Sequence, residues 1–190
     1  MFEILRSLGL SVEREKRAWE VATLLDRGVQ VPRLKCVEVV GPFGAPKTGC
    51  PKLAVDGAAN ELEDYDFLLS DGDGARAEEL SRASEEKLLF LVVHGDNFEK
   101  LIKIPLGNRV IPVVQSPRGN GLCVPAFSDG DKAKLLASMM ADEVFVSGLE
   151  AEEGNPTKER KFELSKVMGV EGALGGYGRW ALDEGERRGL

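Results

Sequence analysis

Histidine is nearly absent from this sequence: His94 stands alone among 190 residues. A histidine-based metal centre needs several imidazoles, so that class is excluded. Cysteine is almost as scarce. Cys36, Cys50 and Cys123 are an odd number without a C-x-x-C spacing. A cysteine zinc site and a disulfide framework are therefore not expected, and the thiols read as small apolar fillers in a reducing cytoplasm. Basic residues are also in deficit. Twenty-five lysines and arginines face 32 aspartates and glutamates, a net charge of −7, which argues against a nonspecific nucleic-acid surface. No apolar run approaches the roughly 20 residues of a membrane span. The opening "MFEILRSLGLSVEREKRAWE" carries acids early and has no long apolar core, so it does not read as a secretory signal. A cytoplasmic protein without a membrane segment is expected.

What remains is a chain that is 43% hydrophobic and long enough for one domain with a full core over residues 1–190. Residues 1–30 read as a helical segment. Phe2, Ile4, Leu5 and Leu8 share a face and Gly9 stops the first run. Ser11 then reads as an N-cap, with Glu13 and Glu15 in the first turn that follows. From residue 35 the pattern becomes short apolar runs closed by Gly or Asp: "CVEVVG", "KLAVDG", "DFLLSDG", "KLLFLVVHG", "RVIPVV" and "DEVFVSG". Stretches of helical character separate them, namely "GAANELE", "GARAEELSRAS", "NFEKLIKI" and "DGDKAKLLASMM". This alternation over residues 35–150 predicts an α/β fold with a mostly parallel sheet flanked by helices, Rossmann-like in its layers. Pro112 lacks a backbone donor, so its strand lies at an edge, is bent, or is no strand. Residues 155–190 read as C-terminal helices around a glycine-rich joint, whose glycines follow no strand and are not read as a dinucleotide loop.

Acidic residues fall where the strands end. Asp56 closes the second run, Asp71 and Asp73 the third, and Asp96 with Asn97 the fourth, while Asp129 and Asp131 open a helix. Ligands of open parallel sheets bind beyond those carboxyl ends. Close carboxylates repel each other unless a cation lies between them. Hard oxygen ligands without a His or Cys cluster suit Mg²⁺, which shares its shell with water and phosphate. Each motif has a plainer explanation: an Asp-Gly after a strand is commonly a turn, and Asp129 alone would serve as a helix N-cap. His94 alone reads first as a hydrogen-bonded structural residue. Lys158 and Lys161 lie three apart on one helical face, a spacing that usually meets solvent but that can also hold phosphate oxygens.

"LAVDGAANEL", "FLLSDGDG", "VVHGDNFEKL" and "FSDGDKAKLLASMMADEVFVSGLE" occur in the order found in the archaeal 6-hydroxymethyl-7,8-dihydropterin pyrophosphokinases of the methanopterin-pathway type, and the chain resembles that family over roughly residues 1–168. It is more distantly similar to thiamine pyrophosphokinases, which implies a thiamine-pyrophosphokinase-like sheet. It departs from the family at "GPFGAP", at Ser128 in place of Thr, and at Lys132 in place of Arg. The resemblance implies transfer of diphosphate from ATP to a primary alcohol, with release of AMP and dependence on Mg²⁺. On that reading Asp71, Asp73 and Asp96 are metal ligands, and Asp129 and Asp131 hold a second ion or its waters. Ser128, Gly130, Asn97 and Lys132 receive phosphate. Lys158 and Lys161 join Asp71 and Asp73 as catalytic residues, and Asp56, Asn60 and His94 face the acceptor. ATP and the pterin alcohol are the expected partners, and a homodimer is compatible with the helical N-terminal segment. Thiamine as acceptor stays open, as do a nucleotide-sugar-dependent glycosyltransferase-like domain and a nonenzymatic nucleotide binder.

Overall fold

A computed structural model describes residues 11–115, 121–126, 128–149 and 188–189. Within them the continuous apolar runs form strands β1 (Leu34–Val40), β2 (Lys52–Val55), β3 (Phe67–Ser70), β4 (Leu88–Val92), β5 (Val110–Val114) and β7 (Ala141–Ser147), as expected. Two further two-residue strands, β6 (Leu122–Cys123) and β8 (Arg188–Gly189), were not anticipated. The sheet order is β6-β5-β4-β3-β2-β1-β7-β8. Its first seven strands are parallel, and β8 pairs antiparallel with β7. Among the described residues no helix is long and apolar enough to cross a membrane.

Among the described residues four helices flank the sheet: α1 (Val12–Leu25), α2 (Ala77–Glu86), α3 (Phe98–Leu101) and α4 (Asp129–Met140). The Ser11 hydroxyl accepts from the Arg14 N–H and caps α1, as its sequence predicts. One sheet face meets α4, whose Ala133, Leu136, Ala137 and Met140 pack with Val39, Leu53, Leu69 and Phe90. The other meets α1 and α2 through Ala18, Ala22, Leu80 and Ala83 against Leu68, Leu89 and Leu91. Both sides of β4 are thus covered, which is why its sequence is unbroken in apolar residues. "GAANELE" yields only a 3-10 turn, Asp56–Asn60, and "NFEKLIKI" only the single turn α3. Pro112 does lie within β5. The Val113 carbonyl points to β4 and the Val114 carbonyl to β6, so the imide nitrogen of Pro112 faces the β6 side. The β6 ladder starts one residue later, at Val113, so no strand needs the donor that proline lacks.

The cysteine reading is corrected. Cys36 and Cys50 form a disulfide, with Cα atoms 5.6 Å apart. Strand register explains it: β1 and β2 pair with an offset of fourteen, Glu38 against Lys52, and the same offset carries Cys36 to Cys50. Neither residue number nor the odd cysteine count reveals a cross-strand neighbour of that kind. The bond also removes the cysteine argument for a reducing compartment.

The disulfide closes the loop that folds back over β1. Beneath that loop lies Glu38, 1% exposed. Its carboxylate accepts from the Lys47 N–H (2.7 Å), the Thr48 N–H (2.9 Å), the Thr48 hydroxyl (2.7 Å) and the Ser147 hydroxyl (3.1 Å). Burial pushes its pKa up, but the four donors outweigh burial and hold it below the ordinary value. At the loop's start, Gly44 and Gly148 touch through their backbones. A Cβ on Gly148, whose φ is +66°, would lie 1.9 Å from the Gly44 nitrogen. The "GPFG" segment and the end of β7 are therefore locked together.

Two consequences are measurable by thermal denaturation. Reduction with dithiothreitol, or Cys36→Ser, should lower stability by about 3 kcal/mol, the loop-closure value for a ring of this size. Glu38→Ala leaves four donors without their acceptor and should cost on the order of 3 kcal/mol or more.

Candidate active site

Beta strands β2 and β3 lie side by side, Val55 opposite Leu69, and β3 runs one residue further. Each is followed at once by an aspartate. Asp56 takes a left-handed conformation, φ +49°, which turns its carboxylate toward β3. There Oδ1 accepts from the Ser70 hydroxyl (2.6 Å) and from the Ala75 N–H (3.1 Å). The Ser70 oxygen in turn accepts from the Gly72 N–H at 2.9 Å. Asn60 clamps the same loop from the 3-10 turn, donating to the Gly74 carbonyl and accepting from the Arg76 N–H. The loop passes so close that a Cβ on Gly74 would lie 2.2 Å from Asp56 Oδ2. The second glycine of "SDGDG" is therefore a steric requirement of the Asp56 carboxylate.

Helix α4 brings the third carboxylate. Ser128, not Asp129, is its N-cap: the Ser128 oxygen accepts from the Asp131 N–H (3.1 Å), and its hydroxyl donates to Asp131 Oδ2 at 2.6 Å. The acid at the first helical position is thereby left to turn inward. Asp56, Asp71 and Asp129 present carboxylate oxygens that all lie within 4.8 Å of one another.

Positive charge near this cluster is limited but well placed. Lys132, 2% exposed, holds its ammonium 3.5 Å from Asp129 Oδ1. His94 Nε2 faces Asp71 Oδ2 at 3.7 Å. Because His94 Nδ1 accepts from the Asp96 N–H at 3.2 Å, Nε2 is the nitrogen that carries the proton. Burial would raise the pKa of Asp71. The facing His94, the hydrogen bond from the Asp73 N–H and the charge of Lys132 reverse that and hold Asp71 below the ordinary carboxylate value. Asp129 goes the other way. Burial first, then the charges of Asp71 and Asp56, push it up to about 6 against the pull of Lys132 and His94. Asp71 and Asp129 keep 18% and 19% of their side chains exposed, enough to meet a solvent-borne ligand.

Three hard oxygen donors from three elements, converging with one carboxylate forced toward protonation, form a donor set suited to a divalent cation such as Mg²⁺. Among the described residues this is the group of His, Cys, Asp and Glu with metal-ligand spacing. The other sequence candidates lie around it. Asp73 is 72% exposed with Lys100 at 3.4 Å, and Asp96 is exposed beyond His94. Asp131 is engaged by the helix cap. Gly130 is in the first turn of α4. Asn97, 3% exposed, donates to the Asp71 and Val92 carbonyls and accepts from the His94 N–H, tying the end of β3 to the end of β4. Lys158 and Lys161 lie outside the described residues.

Three residues escaped the sequence reading. Lys100 donates to the Gly72 carbonyl, above the loop that carries Asp71. From α1, Arg14 Nε donates to the Gly95 carbonyl (2.7 Å) while Glu15 Oε2 accepts from the Gly95 N–H (2.8 Å), so both sides of the peptide beside His94 are held. Only the arrival of α1 at the β4 end makes that pair meaningful. Lys100, by contrast, was signalled by lying one turn after Asn97.

A cavity of about 460 Å³ adjoins this region. Gly41 to Pro46 form one wall, without Phe43, and Glu61 to Asp64 form the other, with Lys52 and Ala58 between them. Ala58 belongs to the same 3-10 turn that begins with Asp56.

A parallel α/β sheet with a carboxylate cluster at its carboxyl edge defines a protein of the Rossmann-like class. No family model matches the chain. It is, however, 30% identical over 180 residues to the 6-hydroxymethyl-7,8-dihydropterin pyrophosphokinase of Pyrococcus furiosus, covering 77% of this chain and 73% of that protein. The chain belongs to the 6-hydroxymethyl-7,8-dihydropterin pyrophosphokinase family, a family of enzymes.

The opposed pKa shifts give a testable result. Asp129 is held near 6 in the fold and ordinarily titrates near 3.8, so the folded state binds the extra proton between those values. Its ionisation therefore lowers stability as pH rises from about 4 to about 6, and the penalty is complete above that. Asp129→Asn should raise stability at pH 8 by about 1–3 kcal/mol and leave it unchanged at pH 4, as read by urea denaturation without divalent cations.

Proposed function

We propose that this protein transfers a diphosphate group from ATP to the hydroxymethyl oxygen of 6-hydroxymethyl-7,8-dihydropterin, in a Mg²⁺-dependent reaction that releases AMP. The observation that carries the reading is the convergence of Asp56, Asp71 and Asp129 within 4.8 Å in a chain 30% identical to a pyrophosphokinase of that name. The alcohol oxygen bonds to the β-phosphorus as its proton passes to water. The bond from β-phosphorus to the oxygen that bridges it to the α-phosphorus breaks, and AMP leaves with that oxygen. Such chemistry asks the protein for positioning and charge compensation rather than covalent participation.

Asp56, Asp71 and Asp129 would hold the metal, which when bound neutralises phosphate charge. This widens the ligand set read from sequence by Asp56 and leaves Asp73, Asp96 and Asp131 outside its inner ring. His94, as an Nε2–H donor, keeps Asp71 ionised and oriented rather than removing a proton. Lys132 compensates the buried carboxylates, and Lys100, half-exposed above the Asp71 loop, is placed to meet phosphate oxygens. Glycine backbone and N–H groups at the start of α4 add a partial positive charge on the same side. Lys158 and Lys161 remain proposed contributors of charge.

The test is a coupled assay for AMP with ATP, Mg²⁺ and either 6-hydroxymethyl-7,8-dihydropterin or thiamine. AMP formed with the pterin alone is the expected result; AMP with thiamine alone would move the protein to the other acceptor, and none with either would sink the reading. Asp71→Asn should reduce kcat by roughly 10²–10³-fold with the fold intact. Asp73→Asn, outside the ring and exposed, should reduce it by less than about tenfold.

A further inference from the structure

The cavity beside the carboxylate cluster has a chemical character of its own. Its volume of about 460 Å³ falls in the ordinary range of small-molecule sites, roughly 300–1,000 Å³. Its two long walls present apolar side chains, Pro46 on one and Leu62 on the other, with Ala58 between them. Glu61 and Glu63 stand at its rim, both exposed, and neither has an ion pair among the described residues. The neighbouring Asp64, by contrast, already holds Lys87 at 2.8 Å. Lys52 supplies one cation to the lining, close enough for its charge to act on Asp64.

This lining selects among the ligands of a diphosphate transfer. Carboxylates at the mouth disfavour a triphosphate, whose charge belongs near Lys132 and Lys100 instead. They favour a neutral ring with two adjacent N–H donors, because a carboxylate presents two parallel acceptors. The amino-pyrimidinone edge of a pterin has that pattern, with a carbonyl beside it that an ammonium can meet. Length agrees as well. Lys52 and Asp56 bracket β2, and four strand steps span about 13 Å, which accommodates a bicyclic ring with a one-carbon arm directed to the Asp56 end.

We propose that the cavity between the 41–46 loop and the 61–64 segment binds the ring of the alcohol acceptor, with Glu61 and Glu63 reading its N–H donor edge and Lys52 its carbonyl. The proposal rests on the reaction assigned above and locates its second substrate. It also gives the disulfide-pinned loop over β1 a purpose, since that loop forms one wall of the site.

Calorimetric titration of the whole chain with 6-hydroxymethyl-7,8-dihydropterin, with thiamine, and with ATP plus Mg²⁺ separates the outcomes. The double variant Glu61→Gln with Glu63→Gln, at exposed positions, should weaken pterin binding and raise its KM by about tenfold or more, with ATP affinity unchanged. Leu62→Trp, which narrows the cavity without touching charge, should produce the same selective loss. If both variants keep wild-type pterin affinity while the wild type makes AMP, the ring lies elsewhere and the reaction stands. A loss of ATP affinity in place of pterin affinity would also overturn the assignment, making the cavity the nucleotide's. If the wild type neither binds the pterin nor releases AMP with it, or prefers thiamine, both the reaction and this site are wrong.

Discussion

The repulsion among three carboxylates is the constraint on which the rest of this site depends. Unit charges 4.8 Å apart or closer oppose one another by about 3 kcal/mol or more per pair at an effective dielectric near 20. A fold does not hold three of them together without compensation. Here the compensation is layered. Lys132 is buried inside the first turn of α4, and His94 faces Asp71 from the β4 end. Asp56 is fixed by Ser70 and the Ala75 N–H. Burial first, and then the charge these groups leave uncancelled, raise the pKa of Asp129. The same residual charge makes the cluster receptive to a divalent cation.

Much of the surrounding structure serves to keep those groups still. Asn97 ties two strand ends, Asn60 clamps the loop after Asp71, and Arg14 with Glu15 grips the Gly95 peptide from a separate helix. None of these residues is drawn into the carboxylate ring, yet each removes a direction in which the ring could open. The first half of the chain contributes a different kind of order. Glu38 and the Cys36–Cys50 bond press the loop after β1 onto the sheet and so form a wall of the adjoining cavity.

The sheet was largely legible in the sequence because buried parallel strands are written as unbroken apolar runs, and "LLFLV" admits few other readings. The acidic clusters at the strand ends were legible for the same reason, since they interrupt those runs abruptly. Which acids converge was not. Asp73 and Asp96 resemble Asp71 in every local respect, and only the left-handed backbone of Asp56 and the inward turn of α4 select the actual three. The cap illustrates the limit: Ser128 and Asp129 are both good N-cap residues by type, and the choice between them decides whether Asp129 is available to the cluster. The disulfide was hidden because it depends on register, and the register of β1 against β2 is set by the loop between them. Glu38 was hidden because a glutamate in a strand ordinarily faces water.

Two of the three acids issue from adjacent strands, Asp71 one residue beyond the level of Asp56, and this has a consequence for tolerance to change. Neighbouring strands of any sheet lie 4.7–4.9 Å apart, a distance imposed by their backbone hydrogen bonds. The separation of Asp56 from Asp71 is therefore tied to the peptide ladder and is largely indifferent to which side chains fill the core below. Drift of core residues in related chains can alter stability while the spacing persists. The third acid has no such guarantee. Its position depends on how deeply one helix settles against β1, β2 and β3, so size changes in Leu136, Ala137 or Met140 would alter the geometry of the ring from one side only. Variation in cation preference among relatives is thus most naturally sought beneath α4, about two to three turns along the helix from Asp129 itself.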